Sequence, residues 1–242
     1  SLGRSLEEVV SEAVAGGVTM VQLREKEAST REFIELAKRI KTLLTPLSIP
    51  LIINDRVDVA LAVDADGVHI GQSDMPYNIA RELLGPDKII GLSVENIDDL
   101  LQANYLDVDY VGISPVFATQ TKTDTAKPFG IEGLKEAVRM SIHPTVAIGG
   151  MNSTTAAEVM QTGCDGIAVV SAISSAQDVC GAAKELKEIV DANTAESWCQ
   201  EVWRKSNKIY KAILEQKFIG ELSGGTLELK KFASYIAQDE HY

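Results

Sequence analysis

The sequence predicts an α/β fold of the (β/α)8, or TIM-barrel, type, and two features support this prediction. Short apolar runs alternate with helical patterns along the first 190 residues. Most of these runs are apolar at successive positions, which is typical of parallel strands that helices cover. The seven predicted strands are Met20–Leu23, Leu51–Ile53, Gly67–Ile70, Ile89–Leu92, Tyr110–Ile113, Thr145–Ile148 and Gly166–Val170.

A helix precedes the first of these strands. Apolar residues recur at helical spacing at Leu6, Val9, Val10 and Ala13, and Gly16-Gly17 ends the helix. The pattern therefore has seven strands and eight helices, one strand fewer than a complete barrel. We expect a first strand to precede Ser1 in the intact protein. An open, doubly wound sheet is the alternative that the spacing leaves open.

The helix between the first two strands shows the same amphipathic spacing, at Phe33, Leu36, Ala37, Ile40 and Leu43. After Val190 the pattern changes, because a polar linker at Asp191–Thr194 leads into two helical patterns without a strand. These patterns cover about Glu196–Gln216 and Leu227–Gln238. We therefore predict a barrel domain at residues 1–190 and a truncated all-α segment at residues 191–242.

Composition and charge exclude several classes of protein. The chain is 45% hydrophobic and 24% charged, which is typical of a globular protein, and it has no apolar run long enough for a transmembrane helix. Its net charge of −12 argues against a general nucleic-acid or membrane-surface binder. The three cysteines are scattered and odd in number, so they indicate no disulfide framework. A cytoplasmic location is expected.

Polar or glycine residues follow nearly every predicted strand. In (β/α)8 barrels the active site lies where strands end and helices begin, so these residues predict one site at one rim. They include Gln22, Arg24, Lys26, Asn54, Asp55, Asp74, Ser93, Thr119, Lys122, Gly149, Gly150 and Ser171.

The charges at this rim are typical of a magnesium–polyphosphate site. Asp55 and Asp74 supply carboxylates, and Mg²⁺ binds one or two carboxylates together with water and phosphate oxygens. Arg24, Lys26 and Lys122 are cations that bind the remaining phosphate charge. Helix capping by the aspartates, and ion pairs of the first two cations with neighbouring glutamates, are the alternatives.

The last two strand ends suggest a second phosphate site. Gly149-Gly150 and Val170-Ser171 follow neighbouring strands, and loops at this place in such barrels frequently bind phosphate through backbone N–H groups. A plain tight turn is the alternative for the two glycines. Two facing anion sites suggest two phosphorylated small-molecule substrates.

The sequence shows no apparent Ser-His-Asp or Cys-His arrangement. None of the three histidines, His69, His143 and His241, is an obvious general base. A reaction in which pyrophosphate leaves with the help of Mg²⁺ and cations fits this set of residues.

These motifs resemble thiamin phosphate synthase over residues of about 3–190, without that family's first strand. The ordered motifs are Gln22-Leu-Arg-Glu-Lys26, Ile53-Asn-Asp55, Asp66-Gly-Val-His-Ile-Gly-Gln72, Gly91-Leu-Ser93, Gly112-Ile-Ser-Pro-Val-Phe117, Thr119-Gln-Thr-Lys-Thr-Asp124, Ala147-Ile-Gly-Gly150 and Gly163-Cys-Asp-Gly166. The family joins hydroxymethylpyrimidine diphosphate to thiazole phosphate, which gives thiamin phosphate and pyrophosphate by a dissociative mechanism. Gln120 stands where proline is more often expected.

The resemblance implies a role for each matching position. The implied Mg²⁺ ligands are Asp55 and Asp74, and the implied catalytic residues are Ser93 and Lys122. The implied pyrimidine diphosphate site comprises Gln22, Leu23, Arg24, Glu25, Lys26, Asn54, Ser93 and Lys122. The implied thiazole phosphate site comprises Thr119, Gln120, Thr121, Gly150, Val170 and Ser171.

The tail resembles the start of the helical domain of thiaminase II, an aminopyrimidine aminohydrolase. The matching pieces are Trp198, Phe218-Ile-Gly-Glu-Leu222, Gly225-Thr-Leu227, Phe232, Tyr235 and Gln238-Asp239. Gln216-Lys217 replaces that family's His-Pro, and the chain ends before its nucleophilic cysteine. The resemblance implies a fusion of two thiamin-pathway domains, with no second activity in this chain by that family's mechanism.

Two other functions stay open at this point. A thiazole tautomerase-like isomerase shares the barrel and the thiazole phosphate site but needs no metal-binding carboxylates, and a non-catalytic ligand-binding fragment needs no turnover. Replacement of Asp55 by alanine is expected to abolish only the synthase. A homo-oligomer is compatible with a barrel that has helices on its outer surface.

Overall fold

The computed structural model describes residues 3–118 and 127–194. The predicted site residues Thr119, Gln120, Thr121 and Lys122 lie outside the described residues. So does all of the predicted helical tail beyond Thr194.

Within the described residues, seven parallel strands form one sheet, in which strands that are consecutive in the chain pair with each other. A doubly wound sheet reverses its strand order in the middle, so the consecutive order excludes that alternative. The (β/α)8-type prediction is confirmed, and each strand agrees with its predicted bounds to within two residues. The strands are β1 Val21–Leu23, β2 Leu51–Asn54, β3 Gly67–Ile70, β4 Ile89–Val94, β5 Tyr110–Ile113, β6 Thr145–Ile148 and β7 Gly166–Ala168.

Helices follow the strands in alternation, as the sequence predicts. The described residues also contain a short helix before the last one, which the sequence pattern did not reveal. The helices are α1 Leu6–Ala15, α2 Thr30–Leu44, α3 Val57–Val63, α4 Tyr77–Leu84, α5 Ile97–Ala103, α6 Gly130–Met140, α7 Ala156–Met160, α8 Ser171–Ser174 and α9 Val179–Asn193.

The two faces of the sheet differ in chemistry. Leu51, Ile53 and Val68 lie on the face that packs against the helices, and they are fully buried. Asn54 pairs in register with His69, so these two polar residues share the opposite, inner face. The polar inner face leads to the carboxyl ends of the strands, where the site residues lie.

Helix α1 completes the helical layer by packing against both α9 and α2. A capping box of Ser5 and Glu8 begins α1, where the two residues satisfy each other's backbone N–H groups. A small second core fills the contact of α1 with α7, α8 and α9; it consists of Val9, Ala13, Ala156, Ile173, Val179, Ala183 and Leu186.

The first and last strands of the sheet are more exposed than the central ones. All residues of β2, β3 and β5 are buried, whereas β7 is only partly buried and β1 has one exposed residue. Within the described ranges, β1 and β7 each pair on one side only. In those ranges no helix is long and apolar enough to cross a membrane.

Candidate active site

Asp55 directly follows β2 in a left-handed backbone conformation, with φ of 63°. Non-glycine residues rarely adopt this region, although aspartate tolerates it better than most. The backbone N–H of Asp55 donates to the carbonyl of His69 at 2.8 Å, which fixes the turn against β3. This turn places the Asp55 carboxyl group beside Asp74.

Asp74 is held in the turn that follows β3. Its Oδ2 accepts the backbone N–H of Gly71 at 2.7 Å. The carboxyl group of Asp74 lies close enough to that of Asp55 to change its pKa. Burial and this neighbouring carboxyl group raise the pKa of Asp55 to about 6, because two adjacent carboxylates repel each other when both are ionised.

A divalent cation fits this pair of carboxyl groups. Mg²⁺ prefers carboxylate oxygens and uses one or two of them, with the rest of its octahedron filled by water and substrate oxygens. Its charge would relieve the repulsion that raises the pKa of Asp55. Among residues 3–118 and 127–194, no group of three or more His, Cys, Asp or Glu side chains could hold a metal ion.

The segment after β1 provides cations at the same place. The charges of Arg24 and Lys26 lower the pKa of Asp55, in opposition to burial and to Asp74, and both cations are exposed. Glu25 instead accepts the backbone N–H groups of Glu27 and Ala28, at 2.9 and 3.4 Å. Glu25 therefore stabilises the turn that presents the two cations.

Leu23 does not present its side chain to the site. It is only 5% exposed and belongs to the main hydrophobic core. A substrate contact of Leu23, as the sequence motif implies, would therefore come from its backbone. The sequence analysis included Leu23 because it lies inside a motif whose other residues are at the rim.

Ser93 lies near the carboxyl end of β4 and is hydrogen-bonded to a buried histidine. Its Oγ is 2.9 Å from Nε2 of His69, and Nδ1 of His69 is 2.9 Å from the hydroxyl of Tyr110. Gln72 also donates through Nε2 to the Ser93 carbonyl at 2.6 Å. This contact joins serine, histidine and tyrosine, so it is not the Ser-His-Asp or Cys-His arrangement that the sequence analysis considered.

Sequence analysis missed His69 and Tyr110 because the two residues are 41 positions apart. Strand register places them close, since His69 pairs with Gly91 and Gly91 pairs with Tyr110. A signal was present in the glycines of β4 and β5, because strand glycines often mark a close approach by another group. That signal did not identify which side chain would fill the space.

Three of the predicted thiazole phosphate residues, Gly150, Val170 and Ser171, follow β6 and β7, two neighbouring strands. Gly149 and Gly150 both have positive φ, of 100° and 71°. Val170 is 61% exposed, and Ser171 is the exposed first residue of α8. The structure thus brings Gly150, Val170 and Ser171 to the same rim as the carboxylate pair.

A family model described as thiamine monophosphate synthase matches residues 1–173 of the chain. This match covers well over half of the 242 residues. The chain belongs to the thiamine monophosphate synthase family.

Relatives support this family membership over most of the chain. A thiamine-phosphate synthase of Albidiferax ferrireducens is 55% identical over 190 residues, which are 78% of this chain and 87% of that protein. A thiamine-phosphate synthase of Vibrio parahaemolyticus is 56% identical over 187 residues, which are 77% of this chain and 92% of that protein.

Solved structures agree with the family. A thiamine phosphate pyrophosphorylase from Pyrococcus furiosus superimposes with a TM-score of 0.74 at 44% identity, and the match covers 79% of this chain and 92% of that one. A 3-hexulose-6-phosphate synthase superimposes with a TM-score of 0.58 at 20% identity, covering 78% of this chain and 95% of that one. The second match shows a shared fold only.

Proposed function

We propose that this barrel is a thiamine-phosphate synthase, a transferase. It transfers the hydroxymethylpyrimidine group from its diphosphate to thiazole phosphate and releases pyrophosphate. The observation that supports this most directly is the pair of neighbouring carboxyl groups, Asp55 and Asp74, beside two cations at the active rim. In a chain 55% identical to a thiamine-phosphate synthase, this pair fits the diphosphate substrate of that reaction.

The reaction is dissociative in this proposal. The bond between the pyrimidine methylene carbon and the diphosphate oxygen breaks, and the electron pair leaves with pyrophosphate. The thiazole nitrogen then donates its lone pair to the pyrimidine cation, which forms the new carbon–nitrogen bond. No general base is needed, because no proton is removed from either substrate in these steps.

The chain's own residues stabilise the leaving group. Arg24 and Lys26 bind the diphosphate oxygens, and Ser93 donates a hydrogen bond to them. Asp55 and Asp74 hold Mg²⁺, which when bound neutralises charge on the departing pyrophosphate. By the same proposal Lys122 adds a further cation, and Asn54 and Gln22 bind the substrate on the inner face.

The thiazole phosphate binds on the opposite side of the rim. Gly150 permits close approach of the phosphate to the backbone, and the backbone N–H groups near Val170 and Ser171 donate to it. Thr119, Gln120 and Thr121 complete this site in the proposal. Two anions held at one rim place the thiazole nitrogen next to the pyrimidine carbon.

The test is formation of thiamine phosphate from both substrates and Mg²⁺, followed by mass spectrometry. We expect product from the parent chain and from Asp98→Ala, an exposed aspartate on α5, but none from Asp55→Ala. Product from Asp55→Ala as well would contradict the metal role of Asp55. No product from the folded parent chain would overturn the proposed function.

A thiazole tautomerase is the second candidate, and a non-catalytic ligand-binding fragment is the third. The tautomerase would use the Gly150 side of the rim and would leave the carboxylate pair without a role. The repulsion between Asp55 and Asp74 favours the synthase, since a tautomerase gains nothing from it. Isomerisation of the thiazole by Asp55→Ala at the parent's rate would identify a tautomerase.

We also infer that residues 191–242 form a separate helical segment related to the start of thiaminase II. The predicted linker at Asp191–Thr194 is wrong, because Asp191, Ala192 and Asn193 are the last residues of α9. The change from strands to helical patterns in the sequence supports a boundary after α9. Limited proteolysis of the whole chain is expected to cut after α9, which ends at Asn193, and to leave the barrel intact. The remaining proposals are a cytoplasmic location and a homo-oligomeric state. Sedimentation equilibrium measures the mass of the oligomer.

A further inference from the structure

A chain of hydrogen bonds crosses the inner face of the sheet. It joins two residues that are predicted to bind the pyrimidine diphosphate, Gln22 and Ser93. Gln22 of β1 is hydrogen-bonded to the hydroxyl of Tyr110 in β5. Tyr110 contacts Nδ1 of His69, and Nε2 of His69 contacts Ser93, both at 2.9 Å. His69 and Tyr110 are 3% and 8% exposed, whereas Ser93 is only half-buried.

Two strand glycines leave the space that the rings of His69 and Tyr110 occupy. A Cβ on Gly91 would lie 2.1 Å from Cζ of Tyr110, and a Cβ on Gly112 would lie 2.9 Å from Cε1 of His69. Any side chain at either position would displace a ring. Because glycine weakens a strand, its presence at both positions indicates that the ring pair has a role.

The direction of the two hydrogen bonds of His69 depends on which of its ring nitrogens carries the proton. The bond from Gln22 lowers the pKa of Tyr110, which identifies Gln22 as the donor. Burial outweighs this effect and raises the Tyr110 pKa, so the hydroxyl keeps its proton. We assign this proton to the hydrogen bond with Nδ1 of His69. A neutral imidazole has one N–H, which then lies on Nε2 and points to Ser93.

Ser93 consequently accepts a hydrogen bond from His69 and keeps its own proton free to donate. A serine nucleophile needs the reverse arrangement, in which histidine accepts the serine proton. The pair is therefore unsuited to activating Ser93 as a nucleophile. It is suited to holding the Ser93 hydroxyl as a donor for an anionic oxygen at the rim.

We propose that His69, supported by Tyr110, is a positioning residue that fixes the Ser93 hydroxyl as a hydrogen-bond donor to the departing pyrophosphate. This inference rests on the proposed synthase function and adds two residues to its machinery. The donated hydrogen bond strengthens as negative charge develops on the oxygen while the carbon–oxygen bond breaks. No proton leaves Ser93, so the step needs no further acceptor.

A double-mutant cycle tests whether His69 acts through Ser93. We expect His69→Leu to lower kcat about tenfold with little change in KM, as loss of a hydrogen bond to a charged group would. The same change in a Ser93→Ala background is expected to have no further effect on kcat, because the hydroxyl is then already lost. Multiplying losses in the double variant would overturn the proposal.

Conservative variants separate positioning from a purely structural role. His69→Gln retains a donor toward Ser93 and is expected to recover most of the kcat that His69→Leu loses. Tyr110→Phe keeps the ring, so it tests the network even if His69→Leu fails to fold. We expect Tyr110→Phe to lower kcat a few-fold. In a Ser93→Ala background, Tyr110→Phe should cause no further loss of kcat.

The protonated nitrogen of His69 is a second test that needs no activity. In the whole chain labelled with ¹⁵N-histidine, NMR is expected to show the proton of His69 on Nε2, with assignment by its loss in His69→Gln. A proton on Nδ1 would overturn the proposal even in an active enzyme. An inactive parent chain with the proton on Nε2 would instead contradict the proposed function and leave the orientation of Ser93 supported.

Discussion

At the scale of single residues, the proposed function assigns its two substrates to different residues of the active rim. Arg24 lies near the carboxylate pair, and its guanidinium can bind two phosphate oxygens at once. Gly150 lies beyond β6, where its backbone, and not a side chain, is available. Substitutions at these two positions should therefore affect different substrates.

Arg24→Ala is expected to raise the KM for the pyrimidine diphosphate by about tenfold, because a charge-assisted hydrogen bond to phosphate is lost. The KM for thiazole phosphate should not change. Steady-state kinetics with each substrate varied in turn measures both values. Arg31→Ala, an exposed arginine on α2, is the control and should behave like the parent. An equal rise in both KM values would contradict the assignment of Arg24 to one substrate.

Gly150→Ala is expected to raise the KM for thiazole phosphate. A Cβ there would lie 2.7 Å from Cβ of Phe117, so the loop must shift away from the phosphate. Gly85→Ala is a matched control: its φ of 78° is also positive, but no atom lies within 4 Å of its Cβ position. Both variants should lose about 1 kcal/mol of stability from backbone strain. A similar KM in the two variants would refute a binding role for Gly150.

Most rim residues could be predicted because a βα repeat fixes which end of each strand is functional. Asp55 and Arg24 follow strands directly, and Asp74 lies in the turn after β3, so their meeting required no knowledge of side-chain packing. His69 and Tyr110 could not be found in this way, since their contact depends on the register of three strands. The exclusion of Leu23 from the site depended on which face of β1 it occupies.

At the scale of elements, the contact between α1 and α9 closes the helical layer without a strand beneath it. Gly16, at the end of α1, makes this close approach possible. A Cβ at Gly16 would lie 2.4 Å from the carbonyl oxygen of Cys180 and 2.6 Å from Cβ of Ala183. The carbonyl belongs to the backbone of α9, so the two helices would have to separate.

Gly16→Ala is therefore expected to destabilise the chain by roughly 2 kcal/mol through overpacking. Urea unfolding measures this loss. Gly166→Ala is the control, because no atom lies within 4 Å of its Cβ position in β7. Catalysis at saturating substrate should survive in Gly16→Ala below its unfolding transition. Equal stability of Gly16→Ala and the parent would show that α1 and α9 are not in this close contact.

At the scale of the whole molecule, the carboxylate pair links folding to pH, and the proposed metal site would also link folding to Mg²⁺. The pKa of Asp55 is about 6 in the fold, compared with an ordinary value of 3.8. The folded chain therefore binds its proton more tightly than the unfolded chain does. In metal-free protein, the contribution of Asp55 to stability falls as the pH rises from about 4 to about 6 and stays low above that.

Asp55→Asn removes this repulsion and should stabilise the metal-free chain at pH 7.5. Asp55 is partly solvated, so screening reduces the expected gain to roughly 1 kcal/mol. Mg²⁺ should stabilise the parent chain, since it binds the folded state, but should have little effect on Asp55→Asn. Urea unfolding in EDTA and in Mg²⁺ measures both effects, with Asp98→Asn as the control.

If Asp55→Asn is no more stable than the parent in EDTA yet loses the response to Mg²⁺, Asp55 is a metal ligand that Asp74 does not repel. If both proteins respond equally to Mg²⁺, the ion binds elsewhere, and the proposed metal site is wrong.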